Sequence, residues 1–114
     1  MADTGRSVLV TGASRGIGAA VARAFAANDD RVAVHYGASR HQADEVMASL
    51  DGDGHILVQA DLRDPESIRS MVDAAAAHLG SIDVLVNNAG VFLAHPIESV
   101  DYETWQRVWT ETLA

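Results

Sequence analysis

The stretch VLVTGASRGIG at positions 8–18 constrains this chain more than any other. Three apolar residues of strand length (Val8, Leu9, Val10) run into Thr11, and three glycines follow in the pattern G-x-x-x-G-x-G. A small-residue helix begins near Ile17. Gly12 lets the chain leave a strand through a backbone geometry costly for other residues. Gly16 presents no side chain to an approaching pyrophosphate, and Gly18 permits close packing of helix on strand. The free N–H groups and the dipole of the first helical turn then face an anion. A glycine-rich loop alone also serves as an ordinary tight turn. Here an apolar strand precedes it, and a second strand over 31–36 completes a βαβ unit.

The rest of the chain repeats that alternation. Helices are expected over 17–27, 40–50 and 65–79, and strands over 31–36, 55–60 and 82–87. The first helix carries an apolar stripe of Ala20, Val21, Ala24 and Phe25, the second one of Val46, Met47 and Leu50, and the third one of Ile68, Met71, Val72, Ala75 and Leu79. Asp64 reads as the N-cap of the third helix, with Pro65 at its first position and Gly80 as its stop. The strand over 82–87 is almost continuously apolar, as expected of one buried on both faces. A last helix over 101–113 would turn Trp105, Val108 and Trp109 inward. Strands alternating with helices predict an α/β fold, a doubly wound parallel sheet of the Rossmann type. The expected order of the four strands is 3-2-1-4.

Composition narrows the partners. Sixteen acidic residues against eight basic ones leave a formal net charge of −8 with no basic run, which argues against nucleic acid and anionic membranes. Cysteine is absent, so disulfides, thiolate metal sites and a Cys nucleophile are excluded, and a cytoplasmic setting is expected. His35 reads as a neutral strand residue, and His41, His55, His78 and His95 show no metal-ligand spacing. All eight basic residues are Arg, so a mechanism that needs Lys cannot be completed within these 114 residues.

A dinucleotide site that takes NAD usually places a carboxylate near the end of the second strand, about 20 residues beyond the glycines. Positions 35–40 read His, Tyr, Gly, Ala, Ser, Arg, without one. Arg15 inside the glycine loop, with Ser39 and Arg40 after the strand, suits a 2′-phosphate instead, because guanidinium binds phosphate oxygens in bidentate fashion. NADP(H) is therefore expected over NAD(H).

Two further segments make a resemblance specific: Asp61-Leu62 after the third strand and Asn87-Asn88-Ala89-Gly90 after the fourth. With TGASRGIG, they resemble the short-chain dehydrogenase/reductase family, in the subgroup of 3-oxoacyl-carrier-protein reductases and related ketoreductases. The resemblance covers almost the whole chain. It implies a carbonyl–alcohol oxidoreductase that transfers hydride to or from a nicotinamide and acts on a small molecule as a homo-oligomer. It implies that Asp61 bonds the adenine amino group with backbone support from Leu62. It places Asn88, Ala89 and Gly90 beneath the ribose and nicotinamide, with Asn87 helping to hold the strand. The cofactor-binding set is then Gly12, Ser14, Arg15, Gly16, Ile17, Gly18, Tyr36, Ser39, Arg40, Asp61, Leu62, Asn88, Ala89 and Gly90.

Family members also use a Ser and a Tyr-x-x-x-Lys pair, with an Asn from the helix after the NNAG segment. Tyr36 and Tyr102 are the only tyrosines here and neither is followed by a Lys. No catalytic residue is assigned. Thr112 falls at the Asn position if the last helix aligns without a gap; if that helix is one turn longer, the Asn lies past Ala114. Residues 1–114 are thus expected to form one dinucleotide-binding domain, incomplete at its C-terminal end and inactive alone. A non-catalytic nucleotide-sensing module of related fold and a non-functional truncated product stand as alternatives.

Overall fold

A computed structural model describes residues 5–89. Seven elements follow one another: β1 (Ser7–Val10), α1 (Gly16–Ala27), β2 (Arg31–Tyr36), α2 (Arg40–Ser49), β3 (Ile56–Gln59), α3 (Pro65–Leu79) and β4 (Val84–Val86). The four strands form one sheet in the order β3-β2-β1-β4. Every pairing is parallel: Val8 stands level with Val32 on one side and with Val84 on the other, and Ala33 stands beside Ile56. The sheet and its order are those expected from the sequence.

Strand alternation divides the interior into two layers. Val8, Val10, Val32 and Val34 face α1 and α2, and pack on Ala19, Ala22, Ala26, Val46 and Leu50. Leu9, Ala33 and Val58 face the opposite way, onto Met71, Ala75 and Leu79 of α3. Helices therefore cover both faces, and apart from Ser7 and His35 the buried residues of β1 and β2 are apolar for that reason.

Three local expectations need correction. The buried stripe of α1 is Gly18, Ala19, Ala22 and Ala26, with Val21 and Phe25 at its margin, while Ala20 and Ala24 face outward. Small residues sit inward because α1 lies close against β1, and bulkier ones fit only at the flank. In α3, Val72 is exposed whereas Met71, Ala75 and Leu79 are buried. Finally, β4 pairs with β1 alone among the described residues, and Leu85 is 61% exposed. Its apolar sequence is not matched by burial on both faces there.

The ends of α3 form as its sequence dictates. The Asp64 side chain accepts from the Glu66 N–H, Pro65 occupies the first turn, and Gly80 closes the helix at φ 89°. At the start of the sheet, Arg6 donates to Asp30 through its backbone N–H (2.9 Å), Nε (3.2 Å) and Nη2 (2.9 Å). The Asp30 side chain is fully buried. Hydrogen bonding from Arg6 outweighs burial and holds its carboxyl down at about 2. This pair lies at the opposite end of β2 from the cavity described next. The helix expected over 101–113 lies outside the described residues.

Candidate functional site

The strand order reverses between β1 and β4, and beyond the carboxyl ends of the strands such a reversal opens a crevice. A cavity of about 720 Å³ lies there. That is within the ~300–1,000 Å³ typical of small-molecule sites. One wall is the glycine turn with Gly12, Ser14, Arg15, Gly16 and Ile17; another is the segment after β2, with Gly37, Ala38 and Ser39. Asp61, Leu62 and Arg63 after β3, and Asn88 and Ala89 after β4, complete it. Ten of the residues expected to bind a cofactor thus converge on one crevice. Gly18, Tyr36 and Arg40 do not line it, and Gly90 and Thr112 lie outside the described residues.

The glycines divide their work. Gly12 has φ +63°, and a Cβ there would stand 2.8 Å from the Ala89 Cα. A Cβ on Gly18 would stand 2.3 Å from the Gly12 carbonyl oxygen and 2.6 Å from the Asn88 Nδ2. Gly18 is therefore a packing residue that sets α1 against the turn. Gly16 differs: at φ +60° its missing Cβ points into open space. Arg15 at the N-cap of α1 makes no side-chain capping bond, and the first turn holds no acid. The orphan N–H groups of that turn are left for an anion. Ile17 is 76% exposed beside them.

Thr11 and Asn88 lock the end of β4 to the turn. The Thr11 hydroxyl donates to the Val86 carbonyl (3.3 Å) and accepts from the N–H groups of Asn88 (2.9 Å) and Ala89 (3.0 Å). The Asn88 amide donates to the Thr11 and Gly12 carbonyls. Asn87, expected to hold the strand, instead lies exposed along a second, apolar cavity beneath β4 and α3. The asparagine bonds to the turn described above belong to its neighbour Asn88.

The charged groups are differently placed. Arg15 is exposed on the cavity rim and makes no ion pair among the described residues. Arg40 is drawn away: its Nε pairs with Asp44 at 3.1 Å, its Nη1 donates to the Tyr36 hydroxyl at 3.2 Å, and it stacks over the Tyr36 ring. Ser39 remains in the wall. Asp61 accepts from the Arg63 N–H and Nε, both at 3.0 Å, and this bonding lowers its carboxyl pKa. Asp61 is thus held ionised, an acceptor facing the cavity.

Sequence reasoning did not find Arg63 or His35 as parts of this site. His35 is buried at the end of β2, with its Nδ1 accepting the Gly12 N–H at 2.9 Å. Its Nε2 lies 3.0 Å from the Ala60 carbonyl. A lone His in an apolar strand carries no signal for that role; the Asp-x-Arg spacing at 61–63 could have flagged Arg63.

Residues 6–112 match the family model described as short chain dehydrogenase. The chain belongs to the short-chain dehydrogenase family. It is 39% identical over 106 residues to 3beta-hydroxysteroid dehydrogenase 1 of Eggerthella lenta, covering 91% of this chain and 41% of that protein. Against a 3-oxoacyl-[acyl-carrier-protein] reductase of Staphylococcus aureus it is 35% identical over 105 residues, which is 90% of this chain and 43% of the reductase. Among solved structures, a short-chain dehydrogenase from Burkholderia cenocepacia in complex with NADP superposes with a TM-score of 0.84 at 39% identity. That match covers 95% of this chain and 45% of that one. The angucycline C-6 ketoreductase LanV with bound NADP gives a TM-score of 0.84 at 36% identity, covering 95% and 45%. This short-chain dehydrogenase chain therefore spans about two fifths of the length of the curated relatives it matches.

Proposed function

We propose that residues 1–114 form the NADP(H)-binding portion of an oxidoreductase that interconverts a carbonyl and an alcohol on a small molecule. The observation that carries this reading is the uncapped, acid-free head of α1, with Gly16 open to the cavity and Arg15, without an ion pair among the described residues, on its rim. The pyrophosphate would rest on the first-turn N–H groups, and the adenine end would lie towards Asp61 and Leu62. The bound nicotinamide supplies the hydride chemistry; the chain's residues bind and orient it. Preference for NADP(H) over NAD(H) is supported by Arg15 and Ser39 in the cavity wall and by the lack of an acid at positions 35–40. Arg40 would have to leave Asp44 to join them.

The Tyr-x-x-x-Lys pair of the family has no match in these residues, so carbonyl reduction by them alone is not expected. The whole protein would act in the cytoplasm as a homo-oligomer. Fluorescence titration with NADPH and NADH tests the reading. Tighter binding of NADPH, lost on Arg15→Ala, is the expected result; equal affinity for the two cofactors would sink the preference.

A further inference from the structure

We infer that His35 is a positioning residue that, as a neutral imidazole protonated on Nε2, ties the glycine turn to the end of β3 and thereby makes dinucleotide binding depend on its staying uncharged. The inference rests on the cofactor reading above for its binding clause, and on geometry alone for the tie.

An N–H can only donate and a carbonyl can only accept. Since Nδ1 receives the Gly12 N–H, it carries no proton; Nε2 then holds the ring proton and donates it to the Ala60 carbonyl. The same residue's backbone carbonyl accepts from the Ala13 N–H at 2.9 Å. Two successive amides of the turn are thus held by one residue of β2. Ala60 directly precedes Asp61 and Leu62, so the ring bridges the wall that would take the pyrophosphate and the wall that would take the adenine. Gly12 has little freedom otherwise, because Ala89 stands against its Cα.

Protonation would place a second N–H against the Gly12 N–H, two donors meeting head-on. The turn would have to move. His35 is only 3% exposed, and its burial pushes the imidazole pKa below the usual value, against a smaller upward pull from the Ala60 bond. The titratable and charged groups on the surrounding elements are Arg15 at the head of α1 and Arg23 within it, Asp61, Arg63 and Asp64 after β3, Arg40, His41, Asp44 and Glu45 of α2, and Glu66, Arg69, Asp73 and His78 of α3. On β2 itself stand Arg31 at the far end and Tyr36 next in the chain, and β1 carries no titratable side chain. Arg63 holds Asp61, Arg40 holds Asp44 and the Tyr36 hydroxyl, and Arg69 pairs with Glu66. A lowered histidine pKa means that the stabilising contribution is whole above the unfolded value of about 6.5 and is lost as the pH falls through the folded value.

The test uses the 114-residue chain. Proton–nitrogen correlation spectra of the His35 ring, recorded without cofactor at about pH 8, should show Nε2 protonated and Nδ1 bare. On acidification the Gly12 amide should shift with the ring's own midpoint. A protonated Nδ1, or a Gly12 amide indifferent to the ring, overturns the inference. In NADPH titrations, His35→Leu removes acceptor and donor together and should raise Kd about tenfold. His35→Asn keeps an acceptor oxygen on Cγ and cannot titrate, so it should weaken binding less and flatten the acid loss. A 2′-phosphate titrates in the same range, so that loss is read as the difference between the unsubstituted chain and His35→Asn. Coincident pH profiles for those two overturn the inference. If the unsubstituted chain binds no NADPH at any pH, the functional reading fails, while the ring spectra still decide the tie.

Discussion

Gly16 and Gly18 are two residues apart, yet their replacement by Ala should fail in opposite ways. At Gly18 the new methyl would sit 2.3 Å from the Gly12 carbonyl oxygen and 2.6 Å from the Asn88 amide. Both neighbours belong to the turn and to the end of β4, so neither can yield without shifting backbone or displacing the Asn88 bonds to Thr11 and Gly12. Overpacking of this kind costs about 1–3 kcal/mol, and a lost hydrogen bond adds about 1 kcal/mol. At Gly16 the methyl meets nothing within 4 Å, so only the φ of +60° opposes it. That costs about 1–2 kcal/mol. The Gly16 methyl does, however, stand where a pyrophosphate would approach. Urea unfolding and NADPH titration on both variants separate the two effects. Gly18→Ala should lose about 2–4 kcal/mol of stability; Gly16→Ala should lose less and lose cofactor affinity out of proportion. If Gly18→Ala unfolds at the same urea midpoint as the unsubstituted chain, the packing argument is wrong. Unchanged NADPH affinity in a folded Gly16→Ala would remove the loop from the binding site.

Other outcomes follow from the same geometry. Thr11→Val removes the hydroxyl that serves Val86, Asn88 and Ala89, and should cost about 1–3 kcal/mol in urea unfolding; a Val variant as stable as the parent would refute the lock. Asp30 has a folded pKa of about 2, below its ordinary value, so its contribution is whole above the unfolded pKa and fades as pH falls towards 2. Asp30→Asn should therefore start less stable and lose less on acidification across that window; parallel pH profiles of unfolding would count against the buried pair. Residues 1–114 should reduce no ketone with NADPH, for want of the Tyr-x-x-x-Lys pair, and measurable turnover would refute that. Arg15→Ala should narrow the gap between NADPH and NADH affinities more than Arg40→Ala does, because Arg40 is held by Asp44 and Tyr36; the reverse order would show that Arg40 swings free on binding.

Much of the architecture follows from local chemistry that any reader of the sequence can see. Asp64-Pro65 and Gly80 delimit α3, Gly12 marks the exit from β1, and the apolar runs mark four strands. The rule that parallel strands need helical crossovers then leaves few ways to arrange them. The convergence of positions 12–17, 37–39, 61–62 and 88–89 on one crevice is likewise implied once the strand order is known, since all of them follow strand ends. What depends on tertiary contact is which side chain meets which partner. Arg40 is no example of this: Asp44 and Tyr36, which take it out of the cavity wall, stand four residues to either side, and the i,i+4 spacing to Asp44 is legible along the chain. The inward stripe of α1 rests on how closely the helix lies against β1, which selects alanines over the larger Val21 and Phe25. The exposure of Leu85 depends on which strands flank β4, not on its own apolar character. His35 shows the difference most plainly. In the sequence it is one polar residue in an apolar strand; in the fold, Gly12 and Ala60, 23 and 25 positions away, arrive at its two nitrogens. Hydrophobic periodicity and turn chemistry are local and leave their record along the chain, whereas hydrogen bonds between distant segments exist only once the sheet has brought those segments together.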